Sequence, residues 1–175
     1  MTETLSLRAK IEQSPMSAYQ WMIVAMAAIM NLLDGFDVLA LAFTATAIRG
    51  EFGLTGIELG YLLSAGLFGM TAGSLFLAPL ADKIGRRPLL LMAVSLSAIG
   101  MLGSAFLSQY QWLGFWRVLP FLGVGGILVG TNVITSEYSS RKWRSFAISV
   151  YAAGFGVGAV LGGMFAVMLQ GEYGW

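Results

Sequence analysis

Five long apolar stretches constrain this chain more than any other feature of its sequence. A membrane-spanning helix needs roughly 20 mostly apolar residues, because a rise of about 1.5 Å per residue must cross about 30 Å of hydrocarbon. The stretches that meet this requirement are residues 21–48, 57–81, 89–107, 112–136 and 146–169. The chain is therefore predicted to be an all-α integral membrane protein with five transmembrane helices.

The composition excludes most other classes of protein. Hydrophobic residues make up 57% of the chain and charged residues only 11%, whereas about a quarter of a soluble domain is charged. A net charge of +1 offers no basic footprint for nucleic acid. The absence of Cys and His removes disulfides, thiol or histidine catalysis and the usual zinc sites. We expect no catalytic residue, no metal and no nucleic-acid partner, and a lipid bilayer as the surroundings.

The basic residues predict how the chain is oriented. Eight of the ten Lys and Arg residues fall on one side of the predicted spans, and Arg49 stands alone on the other side. Because positive charge is enriched in cytoplasmic loops, the N-terminus and both basic loops are expected in the cytoplasm. Residues 1–18 are then a cytoplasmic tail, and residues 19–175 form the transmembrane bundle. The eight residues are Arg8, Lys10, Lys83, Arg86, Arg87, Arg141, Lys142 and Arg144.

Three ionisable residues lie inside predicted spans: Asp34, Asp37 and Arg117. Each costs at least about 2.5–3.5 kcal/mol to insert at the centre of a membrane helix, so each calls for a function or a partner. Asp34 and Asp37 are three residues apart and share a helix face, which Asn31 extends. Helical rise places Asp37 about 24 Å from one surface and Arg117 about 7–8 Å from the other, which is nearly the same depth.

The shared depth leads us to expect that Arg117 pairs with one of the two aspartates. Two carboxylates this close do not both ionise easily, so one of them is expected to hold a proton. A proton-holding carboxylate beside an arginine is a device for coupling transport to protons. Two alternatives stay open: Arg117 holds an anionic substrate, or Arg117 and one aspartate form a buried ion pair that is purely structural.

Other spacings predict how the helices begin and pack. Gly154, Gly158 and Gly162 recur every four residues, followed by Gly163, and small residues at this spacing let helix backbones approach closely in lipid. Thr55 and Glu58 have the spacing of a capping box and predict the start of the second helix. The short connections predict antiparallel packing of neighbouring helices.

The loop from Leu80 to Arg87, Leu-Ala-Asp-Lys-Ile-Gly-Arg-Arg, resembles the signature loop of the major facilitator superfamily. That loop joins the second and third helices, which is where it falls here. The resemblance implies a cytoplasmic gating network, in which the Asp caps a helix of the other half and the Arg pairs with an acidic residue that ends the fourth helix. We expect Glu137 to pair with Arg86 or Arg87, the alternative being an interfacial carboxylate in contact with water. The implied network is Asp82, Gly85, Arg86, Arg87 and Glu137.

Two further segments resemble the aromatic acid:proton symporter family. Leu33-Asp34-Gly35-Phe36-Asp37 is similar to its first-helix motif, and Arg117 to Gly126 is similar to its fourth helix, with Phe121 where Gly is usual. The resemblance implies that the two aspartates and the arginine are needed for transport. The glycines of the fifth span resemble an antiporter motif, but Ala159 replaces its Pro, which argues against a drug exporter.

The resemblance implies the N-terminal half of a twelve-helix facilitator in the inner (plasma) membrane. Such a protein imports aromatic carboxylates, for example benzoate or hydroxybenzoates, with protons by alternating access, and needs no cofactor beyond the proton gradient. Because facilitators bind substrate between two halves, we expect this five-span chain to be an inactive fragment whose partner is the missing C-terminal half. Aromatic residues that could stack on the substrate are Phe36, Trp116, Tyr151 and Phe155.

The alternatives are a facilitator for sugars, other organic acids or drugs, and a non-transporting five-span membrane subunit. A membrane enzyme is disfavoured, because His and Cys are absent and no Ser–Lys pair shares an obvious depth.

Overall fold

The computed structural model describes residues 15–105 and 110–173, and this part of the chain folds into five α-helices. All five are long and apolar enough to cross a membrane, which confirms the predicted fold class. The orientation of the chain stays a prediction, and most of the predicted tail lies outside the described residues. The helices are α1 (Ala18–Phe52), α2 (Gly56–Ile84), α3 (Arg86–Ala105), α4 (Tyr110–Tyr138) and α5 (Arg144–Tyr173).

Helices α1 and α2 extend beyond the apolar spans that predicted them, because capping groups rather than apolar residues set their ends. The Ser17 hydroxyl accepts a hydrogen bond from the Gln20 backbone N–H, and the Gln20 side chain accepts one from the Ser17 N–H. At the other end of α1, Gly53 adopts the left-handed conformation with φ of 61°, which glycine reaches without strain. The predicted capping box of Thr55 and Glu58 is present and begins α2.

The closest helix contact joins α1 to α5 through the predicted glycine stripe. A Cβ atom built on Gly154 would lie 2.6 Å from the Ala28 carbonyl oxygen, and one on Gly162 would lie 2.8 Å from the Phe36 carbonyl oxygen. A Cβ on Gly158 would collide with the Leu32 carbonyl oxygen. These glycines therefore let two helix backbones touch along three turns, as the packing prediction required.

Helix α4 lies at the centre of the remaining contacts. Gly69 of α2 packs against the Val118 carbonyl, where an added Cβ would lie 2.6 Å from the oxygen, and Gly73 packs against the Leu122 carbonyl. On another side of α4, Pro120 fits against Gly100 of α3. This close packing agrees with the burial of α4, which is the most buried of the five spans.

The prediction that neighbouring helices pack antiparallel holds for α3 and α4, where Gly100 meets Pro120 and Gly123 meets the Ala93 carbonyl. Other close contacts join helices that are not neighbours in sequence. The backbone contacts of the glycines lie mostly between α1 and α5 and between α2 and α4, which run in the same direction because successive spans alternate. A short connection fixes only the ends of two helices, whereas small residues determine where backbones can meet.

Phe121, which replaces the usual glycine, fits without disrupting this packing. Its side chain is only 2% exposed and lies against Gly66. A Cβ atom built on Gly66 would lie 3.3 Å from the Phe121 ring. It shares an apolar cluster with Ile48, Leu54 and Leu62 where α1, α2 and α4 meet.

The first turns of α1 and α5 lie at the same level. The rings of Trp21 and Trp143 meet edge to face with centroids 5.8 Å apart, and Phe146 packs against both rings. The Gln20 side chain also donates a hydrogen bond of 2.8 Å to the Tyr138 carbonyl at the end of α4. These contacts agree with the prediction that these segments share one membrane interface.

The glycine stripe makes a direct prediction about stability. Replacing Gly158 with Ala should lower the unfolding free energy by about 1–3 kcal/mol, because the added methyl group must push the α1 and α5 backbones apart. Gly156→Ala is the matched control, since a Cβ there meets nothing within 4 Å. The measurement is the thermal midpoint of each variant in detergent micelles. Equal midpoints for the two variants would contradict the packing described here.

Candidate functional site

The two membrane aspartates lie where α1 meets α5. Asp34 is buried, with 6% of its surface exposed, and Asp37 is half-buried. Gly35 lies between them and packs directly against the Phe155 carbonyl of α5, so a side chain at this position would collide with that backbone. The glycine thus lets the α5 backbone approach α1 between the two aspartates.

Arg117 of α4 supplies the positive charge that acts on Asp37, and it does so without direct contact. Asp37 and Arg117 attract each other electrostatically, and Asp34 and Asp37 repel each other. No hydrogen bond and no ion pair within 4.0 Å joins Arg117 to either aspartate in the part of the chain that the structure describes. The structure therefore brings the three predicted residues into one electrostatic group but does not form the predicted direct ion pair.

Each member of this group has an unsatisfied polar atom. Oδ2 of Asp34, Oδ2 of Asp37 and Nε of Arg117 are buried without a hydrogen-bond partner among the described residues. An unsatisfied buried polar atom usually costs about 1–3 kcal/mol, and more when the group is charged. Such a group is suited to take up a proton or a ligand, because either one relieves part of that cost.

A second polar group lies one helical turn from Asp34. The Asn31 side-chain amide donates a hydrogen bond of 2.7 Å to the Tyr151 carbonyl of α5. The Tyr151 hydroxyl accepts a bond from Thr131 and donates one to the Leu128 carbonyl, both 3.1 Å long. These bonds connect α1, α4 and α5 at one level.

Sequence reasoning missed the role of Thr131 and considered Tyr151 only as a residue that stacks on substrate. In the structure Tyr151 is 4% exposed and its hydroxyl is fully used in holding α5 to α4. The available signal was the polar pair Thr131 and Asn132 in the middle of an apolar span.

An open pocket of about 490 Å³ lies beside this polar group, between α1, α4 and α5. Phe155 and Tyr151 both line it, as two of the four aromatic candidates. The other two pack elsewhere: the Phe36 ring lies 6.2 Å from that of Phe165, and the Trp116 ring covers Gly103 of α3. The full lining is Asn31, Leu128, Val129, Asn132, Val133, Tyr151, Ala152 and Phe155.

Arg86, the first residue of α3, lies against the end of α4, as expected. Arg86 donates two hydrogen bonds of 2.9 Å to the two carboxylate oxygens of Glu137, one from Nε and one from a terminal nitrogen. Gly85 makes the turn between α2 and α3 with φ of 92°, a conformation that favours glycine. Arg87 and Asp82 are exposed. The ion pair is formed, and its role in gating stays a prediction.

Comparison with known protein sequences identifies the family of this chain. The sequence pattern of the Major Facilitator Superfamily matches residues 25–175. The chain belongs to the Major Facilitator Superfamily. The prediction that it is not an enzyme is thereby confirmed, because the members of this superfamily are transporters.

Several relatives are named as transporters of aromatic acids. The chain is 35% identical to the 4-hydroxybenzoate transporter PcaK of Pseudomonas aeruginosa, over 99% of this chain and 39% of that protein. It is 33% identical to a gallate transporter of Pseudomonas putida, over 94% of this chain and 37% of that protein. It is 22% identical to a benzoate transport protein of Acinetobacter baylyi, over 100% of this chain and 39% of that protein. The chain thus spans about two fifths of the length of these relatives.

The electrostatic group predicts strong coupling between Arg117 and Asp37. Arg117→Gln should destabilise the protein, because it leaves a buried carboxylate without its counter-charge. Adding Asp37→Asn should restore about 0.5–3 kcal/mol of the loss, which is the usual range for interacting residues. The measurement is a double-mutant cycle on the unfolding free energy in detergent.

Glu137→Gln is the control partner in this cycle. It lies on the same helix about 30 Å from Arg117 by helical rise, so its effect should simply add to that of Arg117→Gln. Strictly additive effects of Arg117→Gln and Asp37→Asn would contradict the coupling.

Proposed function

We propose that the protein is a proton-coupled importer of aromatic carboxylates in the inner (plasma) membrane. The observation that carries the proposal is the group of Asp34, Asp37 and Arg117, in which each residue keeps a buried polar atom without a partner. A carboxylate in this position binds a proton when its counter-charge is too distant to stabilise the ionised form. Release and uptake of that proton then follow the changing environment of the site as access alternates between the two sides.

The substrate class is supported by the chemistry of the relatives' named substrates. Hydroxybenzoate, gallate and benzoate share an aromatic ring and a carboxylate. The pocket between α1, α4 and α5 supplies an aromatic side chain, Phe155, beside apolar residues and carboxamides. An aromatic ring suits this lining, because it buries apolar area and contacts another ring with favourable geometry.

Arg117 is proposed to act as the counter-ion of Asp37. It binds the substrate only after Asp37 has taken up a proton. Asp37 is the charged group whose electrostatic attraction acts on Arg117 in the structure. When Asp37 gains a proton, the arginine loses that partner and becomes available to an anion. Proton binding and anion binding are then linked through a single guanidinium group.

The cytoplasmic ion pair completes the proposal as a gate. Arg86 and Glu137 join the start of α3 to the end of α4 through two parallel hydrogen bonds, a geometry that fixes their orientation. The pair is partly exposed, with 27% and 36% of the side chains accessible, so it is worth little in static stability. Such a weak, oriented pair is suited to break and form during each transport cycle.

The test measures accumulation of radiolabelled 4-hydroxybenzoate in cells that produce the protein from its complete coding sequence. Asp34→Asn and Asp37→Asn are expected to prevent accumulation above the external concentration, because each removes a group that can carry a proton. A protonophore should have the same effect on the unmodified protein. Glu51→Gln neutralises a carboxylate at the exposed end of the same helix and should leave accumulation intact.

Unchanged accumulation in both aspartate variants would overturn the proton-coupling part of the proposal. Efflux of cationic drugs, or uptake of sugars instead of aromatic acids, would overturn the substrate class and favour another branch of the superfamily.

A further inference from the structure

Two neighbouring oxygens inside the bundle lack a hydrogen-bond donor. Oδ1 of Asn31 and Oδ2 of Asp34 are buried without a partner among the described residues. Both side chains are buried as well, with 3% and 6% of their surface exposed. The two oxygens have almost no accessible surface, so neither water nor a ligand can reach them. A donor for these oxygens must therefore come from the protein itself.

The side-chain amide of Asn31 is oriented by the Tyr151 carbonyl. The amide nitrogen donates a hydrogen bond of 2.7 Å to this carbonyl oxygen, which can only accept one. The nitrogen is therefore turned toward α5, and the amide oxygen is turned away from this carbonyl. The Tyr151 hydroxyl is no donor for that oxygen, because it is engaged with Thr131 and Leu128 of α4. The Asn31 oxygen is thus a fixed acceptor.

Asp34 lies next to this acceptor on α1. Residues three apart on a helix are neighbours, with Cβ atoms about 5–6 Å apart, and amide and carboxyl side chains at this spacing form hydrogen bonds. Helical side chains also lean toward the N-terminus, so Asp34 leans toward the turn that carries Asn31. An ionised carboxylate has no hydrogen to donate, whereas a protonated carboxyl group has one. A single proton on Asp34 would satisfy both oxygens.

The surrounding charges distinguish Asp34 from Asp37. Arg117 of α4 attracts Asp37 and so stabilises its negative charge. The electrostatic effect on Asp34 is repulsion by Asp37. From α5, the Tyr151 hydroxyl also interacts with Asp34, and a tyrosine is uncharged at neutral pH. Asp34 is therefore the better placed of the two aspartates to keep a proton.

We propose that Asn31 holds the coupling proton on Asp34 between transport cycles, by accepting a hydrogen bond from the protonated carboxyl group. This inference rests on the proposed function and assigns the resting position of its proton. Asp37 stays ionised near Arg117 until the proton leaves Asp34 and binds the Asp37 carboxylate. Asp34 becomes ionised in that step, so the total charge of the two aspartates is unchanged. Asn31 is a positioning residue that acts through Asp34.

Infrared spectroscopy tests the bond directly. The protein made from its complete coding sequence is purified in detergent at neutral pH, where exposed carboxyl groups are ionised. The spectrum of the unmodified protein minus that of Asp34→Asn should contain the carbonyl band of a protonated carboxylic acid. Asn31→Leu should change the frequency of this band. It should also lower the pH at which half of the band disappears by roughly one unit, the tenfold loss of proton affinity expected for one buried hydrogen bond.

Matched variants separate loss of this bond from loss of structure. Asn132→Leu makes the same substitution at an exposed position of α4 and should leave the band unchanged. Asn31→Ser keeps a hydroxyl group that both donates and accepts, so it should lower the pH midpoint by less than leucine does. The serine variant decides the question if leucine prevents folding. A band that keeps its frequency and its midpoint in a folded Asn31 variant would overturn the proposal.

The pH dependence of uptake tests the role of the bond in coupling. Uptake of labelled 4-hydroxybenzoate is measured over a range of external pH. Asn31→Leu should need roughly tenfold more protons for half-maximal uptake and should approach the unmodified maximal rate at low pH, because only proton affinity is reduced. A uniform loss of uptake at every pH would show a merely structural role for Asn31 and would contradict the proposal.

The two measurements separate this inference from the function on which it rests. No uptake of aromatic acids, together with a band that changes in Asn31→Leu, would overturn the proposed function and leave the bond between Asp34 and Asn31 supported. Proton-coupled uptake, together with a band and a pH dependence that ignore Asn31→Leu, would overturn this inference alone.

Discussion

Burial of unpaired charge inside the membrane is the constraint on which the rest of this structure depends. Asp34, Asp37 and Arg117 lie in the bilayer without a direct ion pair among the described residues. Apolar residues would fill these positions at lower cost, since buried ion pairs are often less stable than hydrophobic replacements. The fold must therefore compensate for the cost elsewhere, and it keeps a group that we propose to respond to protons and anions.

The compensation comes from backbone packing. The α1–α5 contact brings carbonyl groups within van der Waals distance along a row of glycines, and the α2–α4 contact does the same. In lipid, where apolar burial drives little association, close backbone approach and interhelical hydrogen bonds supply the stability. Gly35 takes part in the helix packing and also lies within the charged group. It lets α5 approach α1, and it stands between the two aspartates in the sequence. Close packing and the candidate site are thus built into the same turn of α1.

The number and type of helices could be predicted from the sequence, because hydrocarbon thickness sets a length that each apolar stretch meets. The capping box of Thr55 and Glu58 and the glycine stripe of α5 were equally predictable, since both depend on local spacing. Helix ends were predicted less well, because Ser17 and Gly53 extend α1 past its apolar residues. Which helices pack together could not be read from short connections, which fix only neighbouring ends.

The candidate site, like the fold, could be predicted from the sequence only in part. The shared depth of the aspartates and Arg117 followed from helical rise, and the structure brings them into one electrostatic group. The pair of Arg86 and Glu137 was also expected, and it is formed. The bonds from Asn31 to Tyr151 and from Tyr151 to Thr131 depend on the rotation of three separate helices, which no local pattern specifies.

The most direct test of the central claim is a measurement of proton movement during transport. The protein, made from its complete coding sequence, is reconstituted in weakly buffered liposomes and 4-hydroxybenzoate is added outside. The pH change measured with protein-free liposomes is subtracted. Proton-coupled uptake should make the external medium more alkaline as substrate enters. This pH change should disappear in Asp34→Asn and Asp37→Asn. Uptake without any change in pH, or a pH change that persists in both variants, would contradict proton coupling through these aspartates.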